Sequence, residues 1–277
     1  MSVNVDWVIR QMNEWAPERS AMAWDNVGLL IGDRGQEAAK ILIALDCTDA
    51  VAAEAAEMGA SLVITHHPLI FAPLKTITAD TSLGRRILTL IQNNIAVYSA
   101  HTNLDMAEGG VNDALFEKLG LSEKENLLPP DSDEAGLGRT GRLARPMPIE
   151  AFAAQAGARL GLTAVRFVSN RSDGSQTVRK AGLCSGAGAR ETYFRAAKEK
   201  GCDVYVTGDI RFHEAQAALE MDLCLVDVTH YAGEAIITEK IRAYLQARAV
   251  DAGVDLEMAV SRTDGQVFRT IPAKGGQ

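Results

Sequence analysis

The sequence predicts an α/β fold: two pseudo-repeated α/β lobes with mainly parallel sheets. Short apolar runs, which are typical of strands, alternate with helical patterns along most of the 277 residues. Strands that are apolar throughout indicate a parallel sheet covered on both faces by helices. The order of strands and helices then occurs a second time, and 47% hydrophobic residues are enough for a sizeable core.

The first lobe is expected over residues 1–125. It opens with an amphipathic helix that carries Val5, Val8, Ile9 and Met12 on one face, and "AWDNVGLLIGD" then predicts a turn and a short strand. A βαβ unit follows, with strand "ILIALD", a helix that stops at Gly59, and strand "SLVIT". Helix "DTSLGRRILTLIQNN", strand "IAVYSA" and helix "GGVNDALFEKLG" complete the lobe.

Residues 126–180 differ in composition and are expected to form a small α/β connector. The stretch "LLPPDSDEAGLGRTGRLARP" is rich in proline, glycine and charge, which is typical of a loop followed by a hairpin. Helix "PIEAFAAQAGARLG" and strands "AVRFVS" and "QTVRKAGL" follow it. The second lobe, residues 181–277, repeats the order of the first and is expected to end in a long helix, from about Tyr231 to Ala249, and one more strand.

An internal repeat relates the two lobes. Matching residues are 142 positions apart up to the second strand and 129 apart after the third, so the lobes differ by a deletion of 13 residues. The matching pairs are Gly59 with Gly201, Thr65 with Thr207, His101 with His230, and Asp105 with Glu234. The repeat therefore equates two His-x-x-x-carboxylate segments and predicts that both face one shared dimetal site.

Four of the five histidines fall where predicted strands end or in the loops immediately after: His66, His67, His101 and His230. In open parallel sheets, ligands bind at that edge. The spacing of four also places His101 with Asp105, and His230 with Glu234, on one face of a helix. Because successive strand side chains point to opposite faces, His66 and His67 can share a centre only if the strand has ended before them.

Imidazoles combined with carboxylates suit divalent ions such as zinc, iron or manganese, and these ligands do not select among them. The absence of clustered thiolates argues against a closed structural zinc site. We therefore predict two divalent metal ions per chain, roughly 3.5 to 4 Å apart, with a bridging carboxylate and coordination positions left for water.

Other polar residues have two interpretations each. Asp25 or Asn26 belongs either to a structural turn or to the rim of the site, and His213 is either a helix-surface residue or a polar residue near the metals. The turn "CSGAGAR" is either a tight turn or a phosphate subsite at a helix N-terminus. Arg139 and Arg142 are either ordinary arginines or contacts for an anionic substrate.

Composition argues against several classes of partner. With 36 acidic and 28 basic residues, the formal charge of -8 disfavours binding to nucleic acid and to anionic membranes. No apolar run approaches the ~20 residues that span a bilayer, and the N-terminal pattern is unlike a signal peptide. Because the four cysteines (Cys47, Cys184, Cys202 and Cys224) are scattered, we expect reduced packing residues in a cytoplasmic protein.

Several motifs resemble those of one known family. "AWDNVGLLIG", "VITHHPLIF", "YSAHTNLD", "GLGRTGRL", "DVYVTGDIRFHEA" and "DVTHYAGE" resemble, in order, the motifs of the Nif-three-like dinuclear metal-centre hexamer family, whose members are called GTP cyclohydrolase I type 2 homologs. The resemblance extends from about residue 5 to residue 260. It implies a homohexamer, and the short connector is similar to that of family members that lack an extra central domain.

The resemblance also implies the ligands. His66, His67, Asp105, His230 and Glu234 would bind the metals, with Glu234 as the bridge. His101 is different, because the repeat matches it to a ligand whereas the family's ligand set does not always include it. We assign His101 to proton transfer beside the metals, without ligation.

These features favour a metal-dependent hydrolase that uses metal-activated water on a nucleotide or another phosphorylated metabolite. The family name implies attack on a purine ring carbon, but the residues fit phosphoester hydrolysis equally well. The alternative is a non-catalytic metal-binding scaffold or a metal-handling protein. A nucleic-acid clamp is a third interpretation, which the charge of -8 opposes.

Overall fold

The structure is a computed structural model that describes residues 2–263 and 265–271. Strands and helices alternate along most of this length. The strands are, in chain order, β1 (Val3–Asn4), β2 (Gly28–Ile31), β3 (Glu37–Ala38), β4 (Lys40–Ala44), β5 (Leu62–Thr65), β6 (Ala96–Ser99), β7 (Ser122–Asn126), β8 (Arg139–Pro148), β9 (Arg166–Val168), β10 (Thr177–Leu183), β11 (Val204–Thr207), β12 (Cys224–Asp227) and β13 (Glu257–Val260).

The helices occupy most of the intervals between these strands. They are, in chain order, α1 (Val5–Trp15), α2 (Asp49–Met58), α3 (Ser82–Gln92), α4 (Thr102–Met106), α5 (Val111–Leu119), α6 (Ile149–Arg159), α7 (Glu191–Glu199), α8 (Phe212–Glu220), α9 (His230–Glu234) and α10 (Ile237–Ala252). In the part of the chain that is described, no helix combines the length and the apolar character needed to cross a bilayer.

The first of two compact units comprises residues 1–111 and 235–263. Its sheet has the order β13-β4-β5-β6-β2, in which only β2 is paired antiparallel. Side chains from β4, β5 and β6 pack against α2 and α3 to form an apolar core that includes Leu42, Val63, Val97 and Leu90. The predicted apolar face of α1 is also buried, because Val5, Val8, Ile9 and Met12 are each at most 1% exposed.

Of the described residues, the second unit comprises 112–234 and 265–271. Its sheet has the order β7-β8-β10-β11-β12-β9. The three strands β10, β11 and β12 are parallel, and β7, β8 and β9 join them by antiparallel pairing. This sheet is therefore mixed, with a parallel centre, whereas the sequence predicts mainly parallel sheets in both lobes.

The internal repeat is visible in the topology of each unit taken separately. Strands β4, β5 and β6 are adjacent and parallel, and the edge beyond β6 is closed by an antiparallel strand, β2. Strands β10, β11 and β12 have the same arrangement, closed by the antiparallel β9. The two units place the segments that follow β6 and β12 in equivalent positions, and these segments carry the two His-x-x-x-carboxylate motifs.

The compact units differ from the segments 1–125, 126–180 and 181–277 that we expect from the sequence. Strand β10 runs without a break through residue 180, so that the expected connector and the second lobe share a strand. Strand β13 pairs in parallel with β4, which groups the end of the chain with the beginning. The internal repeat follows the order of strands and helices along the chain, whereas the pairing of strands determines which segments belong to each compact unit.

The expected long helix from Tyr231 to Ala249 is divided. The short helix α9 ends at Glu234 and α10 begins at Ile237, and the boundary between the two compact units falls at the same place, between residues 234 and 235. The prediction of one continuous helix is therefore wrong, although both parts are helical.

All four cysteines are buried thiols. Burial raises the pKa of Cys47 and Cys202 to about 12 and that of Cys224 to about 11. A thiol with such a high pKa is a poor nucleophile at neutral pH, which agrees with a packing role for these three residues.

Candidate metal centre

His66 and His67 directly follow β5, which ends at Thr65. The strand gives way to a loop at this point, where the Thr65 hydroxyl donates to the His67 carbonyl at 2.8 Å. The two imidazole centroids are 5.0 Å apart. The condition that the strand must end before the two histidines is therefore met, and both rings lie on the same side of the loop.

The imidazole ring of His101 lies beside these two rings. His101 follows β6, the parallel neighbour of β5, and its centroid lies 5.1 Å from that of His66 and 5.6 Å from that of His67. One ring nitrogen from each of the three histidines lies within 4.8 Å of the others, a separation that allows them to hold a metal ion. The arrangement arises because the carboxyl ends of adjacent parallel strands meet at one edge of a sheet.

Asp105 completes this group one helical turn after His101. The backbone N–H groups of Leu104 and Asp105 donate to the His101 carbonyl at 2.9 and 3.0 Å, which closes the first turn of α4. The Asp105 carboxylate is buried, and its Oδ1 lies 3.6 Å from Nε2 of His66. The first unit thus brings together a carboxylate and three imidazoles, all of which are predicted site residues.

The second unit presents His230 and Glu234 on the single turn of α9. Nε2 of His230 lies 3.0 Å from Oε2 of Glu234, as the spacing of four residues predicts. Glu234 is only 3% exposed. A buried carboxylate facing an imidazole nitrogen provides an oxygen and a nitrogen atom that are close enough to act as ligands of one metal ion.

Two glycines make room for this pair. A Cβ atom on Gly186 would lie 2.2 Å from Oε1 of Glu234, and one on Gly208 would lie 2.5 Å from the backbone N of His230. Gly186 also has a φ of 63°, which favours glycine. Under the offset of the repeat, Gly208 and its neighbour Asp209 stand where the first lobe has the histidine pair, so the two lobes contribute different donors.

Two residues that adjoin His230 have a strained backbone: Thr229, which precedes it in the chain, and Asp209, which faces its Nδ1. Thr229 has a φ of 64° and Asp209 has a φ of 53°, a region that β-branched residues in particular avoid. Hydrogen bonds hold Thr229 in place, since its N–H donates to Asp227 Oδ1 at 3.0 Å and its carbonyl accepts from Gly233 at 3.2 Å. Such strain clusters at functional sites, because the surrounding structure has to enforce it.

The four histidines of the candidate site have one feature in common: Nδ1 faces an oxygen acceptor. Nδ1 lies 2.8 Å from the Ala100 carbonyl in His66, 2.8 Å from Asp46 in His67, 2.9 Å from Asp25 in His101, and 2.8 Å from Asp209 in His230. An acceptor there fixes the proton on Nδ1, so the lone pair is on Nε2. This is how proteins orient histidines that bind metals.

Asp25 is held in its charged form. Burial raises its pKa, but hydrogen bonds from His101 and Thr102 outweigh burial and lower the pKa of the carboxyl from 3.8 to about 2. The carboxylate accepts from the Thr102 backbone N–H at 3.0 Å and from the Thr102 hydroxyl at 2.5 Å. Of the two interpretations of this turn, the structure therefore favours the one that puts Asp25 beside the site.

The arginines that we considered for anion binding are already engaged. Arg139 is 1% exposed and bonds to Asp113 Oδ1 at 2.5 Å and to the carbonyls of Gly136 and Gly138. Arg142 pairs with Glu123 at the surface. Arg139 is part of the core of the second unit, and its side chain is not available to a substrate.

His213 lies on the surface of α8, as the simpler of its two interpretations predicts. The residue is exposed, and its Nδ1 lies 3.0 Å from Gln216 Oε1 on the same helix.

The turn "CSGAGAR" is a tight turn whose amide groups are largely used inside the unit. The N–H of Ser185 donates to Asn112 Oδ1 at 2.9 Å, and that of Gly188 donates to Thr207 Oγ1 at 3.0 Å. The carboxylate of Glu234 also lies against Gly186 and would repel an anion. The geometry gives no support to a phosphate subsite at this turn.

Sequence reasoning missed two residues, Asp46 and Asp209. Each is 21 residues before the histidine that it orients, and each comes shortly after a strand end. The signal in the sequence is an aspartate at the carboxyl end of an apolar run, as in "ILIALD" and "VYVTGD". That signal is common in α/β proteins and becomes informative only next to a histidine.

Comparison with known proteins identifies the family. A model of the family Duf34/NIF3 (NGG1p interacting factor 3) matches residues 3–266. A protein of Clostridium perfringens named "GTP cyclohydrolase 1 type 2 homolog" is 38% identical over 266 residues, 95% of this chain and 98% of the relative. A protein of the same name from Streptomyces coelicolor is 36% identical and covers 92% of this chain, with 90% of its own length matched.

A solved structure agrees with this assignment. The Bacillus cereus protein related to NIF3 superposes with a TM-score of 0.90 at 27% identity, over 97% of this chain and 99% of that one. The fold, the buried groups of histidine, aspartate and glutamate that could hold a metal ion, and the family model over nearly the whole length are thus in agreement. The chain belongs to the Duf34/NIF3 family.

Proposed function

We propose that the protein is a metal-dependent hydrolase in which His66, His67, Asp105, His230 and Glu234 hold two divalent metal ions. The observation that carries this proposal is the orientation of the histidines, each with an oxygen at Nδ1 and the lone pair on Nε2. Buried carboxylates supply the oxygen donors. This donor set suits zinc, iron or manganese.

Ions bound by these residues would supply Lewis acidity and lower the pKa of water toward neutrality. Glu234, which has the longer of the two carboxylate side chains, is proposed as the bridging ligand. His101 is proposed to take up and return a proton at Nε2, because Asp25 holds its Nδ1 as a donor.

The proposed substrate is a nucleotide or another phosphorylated metabolite. The name of the curated relatives, "GTP cyclohydrolase 1 type 2 homolog", supports this class. We also propose a homohexameric, cytoplasmic protein. Sedimentation velocity on the metal-loaded protein tests the assembly, for which we expect a mass of six chains.

A substrate panel tests the activity. Metal-loaded protein is incubated with GTP, other nucleotides and simple phosphoesters, and both phosphate release and loss of the purine absorbance are followed. We expect turnover with at least one compound that a Glu234→Gln variant lacks. Equal rates for the two proteins on every compound would instead favour a metal-binding scaffold.

Gly186→Ala is expected to remove metal from the protein. The new Cβ would overlap the Glu234 carboxylate and force it away from its present position. Gly201→Ala is a matched control, because Gly201 also has a positive φ, 73°, but has nothing within 4 Å of a Cβ. Each variant has the cost of a left-handed alanine, roughly 1 to 2 kcal/mol, so a difference in metal content reports the overlap with Glu234. Metal content is measured by mass spectrometry, and equal contents would contradict this role for Gly186.

His101→Ala is expected to keep both metal ions and to lower turnover by about 10² to 10⁴-fold, the usual contribution of an acid or base. Metal content and turnover are measured on the same preparation. The loss of one full equivalent of metal would show that His101 is a ligand, as the internal repeat suggests, and would contradict the assignment to proton transfer.

A further inference from the structure

Two exposed aromatic rings lie beside His101. Trp24 is 53% exposed and Phe71 is 55% exposed, and their centroids are 6.0 Å apart. The Trp24 and His101 rings also form a T-shaped pair, with centroids 6.1 Å apart and ring planes at 74°. Large aromatic side chains are normally buried, so half-exposed rings at the edge of a polar cluster call for an explanation.

The segments that carry the two rings are tied together. Asn26, two residues after Trp24, donates from Nδ2 to the carbonyl of Ile70, the residue before Phe71, at 2.5 Å. The neighbouring Asp25 is fixed by His101 and Thr102. The aromatic pair, Trp24 and Phe71, is therefore carried on segments that hydrogen bonds tie to each other, through Asn26, and to His101, through Asp25, which lowers the entropic cost of binding a ligand there.

The exposed area of the aromatic pair is suited to a small ring-shaped ligand. Two rings that are each about half exposed offer on the order of 200 Å², whereas a stable protein interface buries about 800 Å² on each partner. The pair is tilted by 54°, so a flat ligand would stack on the outer face of Trp24 and contact Phe71 with its edge. A planar heteroaromatic ring, such as a nucleobase, matches this surface.

We infer that Trp24 and Phe71 form a stacking platform for a planar heteroaromatic ring of the substrate, next to His101. This inference rests on the proposed function and narrows its substrate class to molecules that contain such a ring. The aromatic pair selects the ring by its flat apolar face, and the polar groups around His101 act on the atoms attached to it. A ribose phosphate without a base has no group to place on the platform.

The test compares GMP with ribose 5-phosphate, which share the sugar and the phosphate, by calorimetric titration of the metal-loaded protein. Stacking is expected to make GMP bind roughly tenfold more tightly or better. Trp24→Ala should bind GMP no more tightly than ribose 5-phosphate, and Trp24→Phe should restore part of the preference. Phe167→Ala, which removes another exposed ring on the edge strand β9, should leave the preference unchanged.

The platform would be overturned if the wild-type protein bound GMP and ribose 5-phosphate with equal affinity, or if Trp24→Ala kept the wild-type preference for GMP. A change in the mass of the Trp24→Ala protein in sedimentation velocity would also overturn it, because the rings would then belong to a contact between subunits. Metal content is measured for every sample. A protein that holds its metal but does not prefer GMP contradicts the platform alone, whereas a protein that cannot be loaded with metal contradicts the proposed function.

Discussion

Glu234→Gln is expected to lower metal affinity by more than about 100-fold, since even the loss of a partner that only orients a ligand costs 10 to 100-fold. Glu234 is 3% exposed and faces Nε2 of His230 at 3.0 Å. Glutamine keeps the shape but replaces one carboxylate oxygen with an NH2 group, which cannot bind a cation, and removes the negative charge. Turnover should fall to the background rate, because the proposed bridge between the ions is lost.

To measure the metal affinity, the Glu234→Gln and wild-type proteins are stripped of metal with a chelator and then titrated with metal. Glu220→Gln is a suitable control because it makes the same chemical change at an exposed position on α8. The control should bind metal as the wild-type protein does. Wild-type affinity and stoichiometry in Glu234→Gln would remove Glu234 from the proposed ligands.

Asp113→Ala is expected to destabilise the protein by about 3 to 5 kcal/mol, the usual cost of leaving a buried charge uncompensated. The side chains of Asp113 and Arg139 are each 1% exposed and 2.5 Å apart. Lys124 also pairs with Asp113, at 2.7 Å. Removing the carboxylate would take away the charged partner of the buried Arg139 guanidinium. The free energy of unfolding is measured by denaturant titration.

Two further variants separate this effect from ordinary surface electrostatics. Glu123→Gln removes the partner of Arg142 at an exposed pair, whose side chains are more than half accessible, and should cost less than about 1 kcal/mol. Replacing both Asp113 and Arg139 with leucine should recover much of the stability lost in Asp113→Ala, because no lone charge remains buried. A double variant that is less stable than the single one would contradict this explanation.

Local patterns in the sequence were sufficient to predict much of the fold. Helix α2 begins after Thr48, whose Oγ1 accepts from Val51 N–H at 3.2 Å, and it ends at Gly59 with a φ of 66°. Both are capping features that depend only on neighbouring residues. The strands β4, β5 and β6 were equally clear, because buried parallel strands are apolar throughout.

Features that depend on distant pairing were not predictable in the same way. The sequence predicts one more strand within residues 254–268, but only the structure shows that Glu257–Val260 pairs with β4 and so belongs with the first unit. The break between α9 and α10 also has no proline to announce it. Both depend on tertiary contacts, which local propensity does not encode.

The candidate site likewise combines features that local sequence patterns predict with features that only the structure shows. The spacing of four residues predicted that His230 and Glu234 would meet, because both lie on one helical turn. The partner of His101 is Asp25, 76 residues earlier, and no local pattern connects them. The sequence thus predicted the imidazole and carboxylate groups of the candidate site better than the carboxylates that orient its histidines.

The proposed function requires that this chain hold two metal ions. Protein purified without added metal is analysed by mass spectrometry, then stripped with a chelator and titrated with Zn²⁺, Mn²⁺ and Fe²⁺. We predict saturation at two ions per chain with at least one of these metals, and less than two in a His66→Ala variant. Saturation of the wild-type protein at one ion or none with every metal would contradict the account.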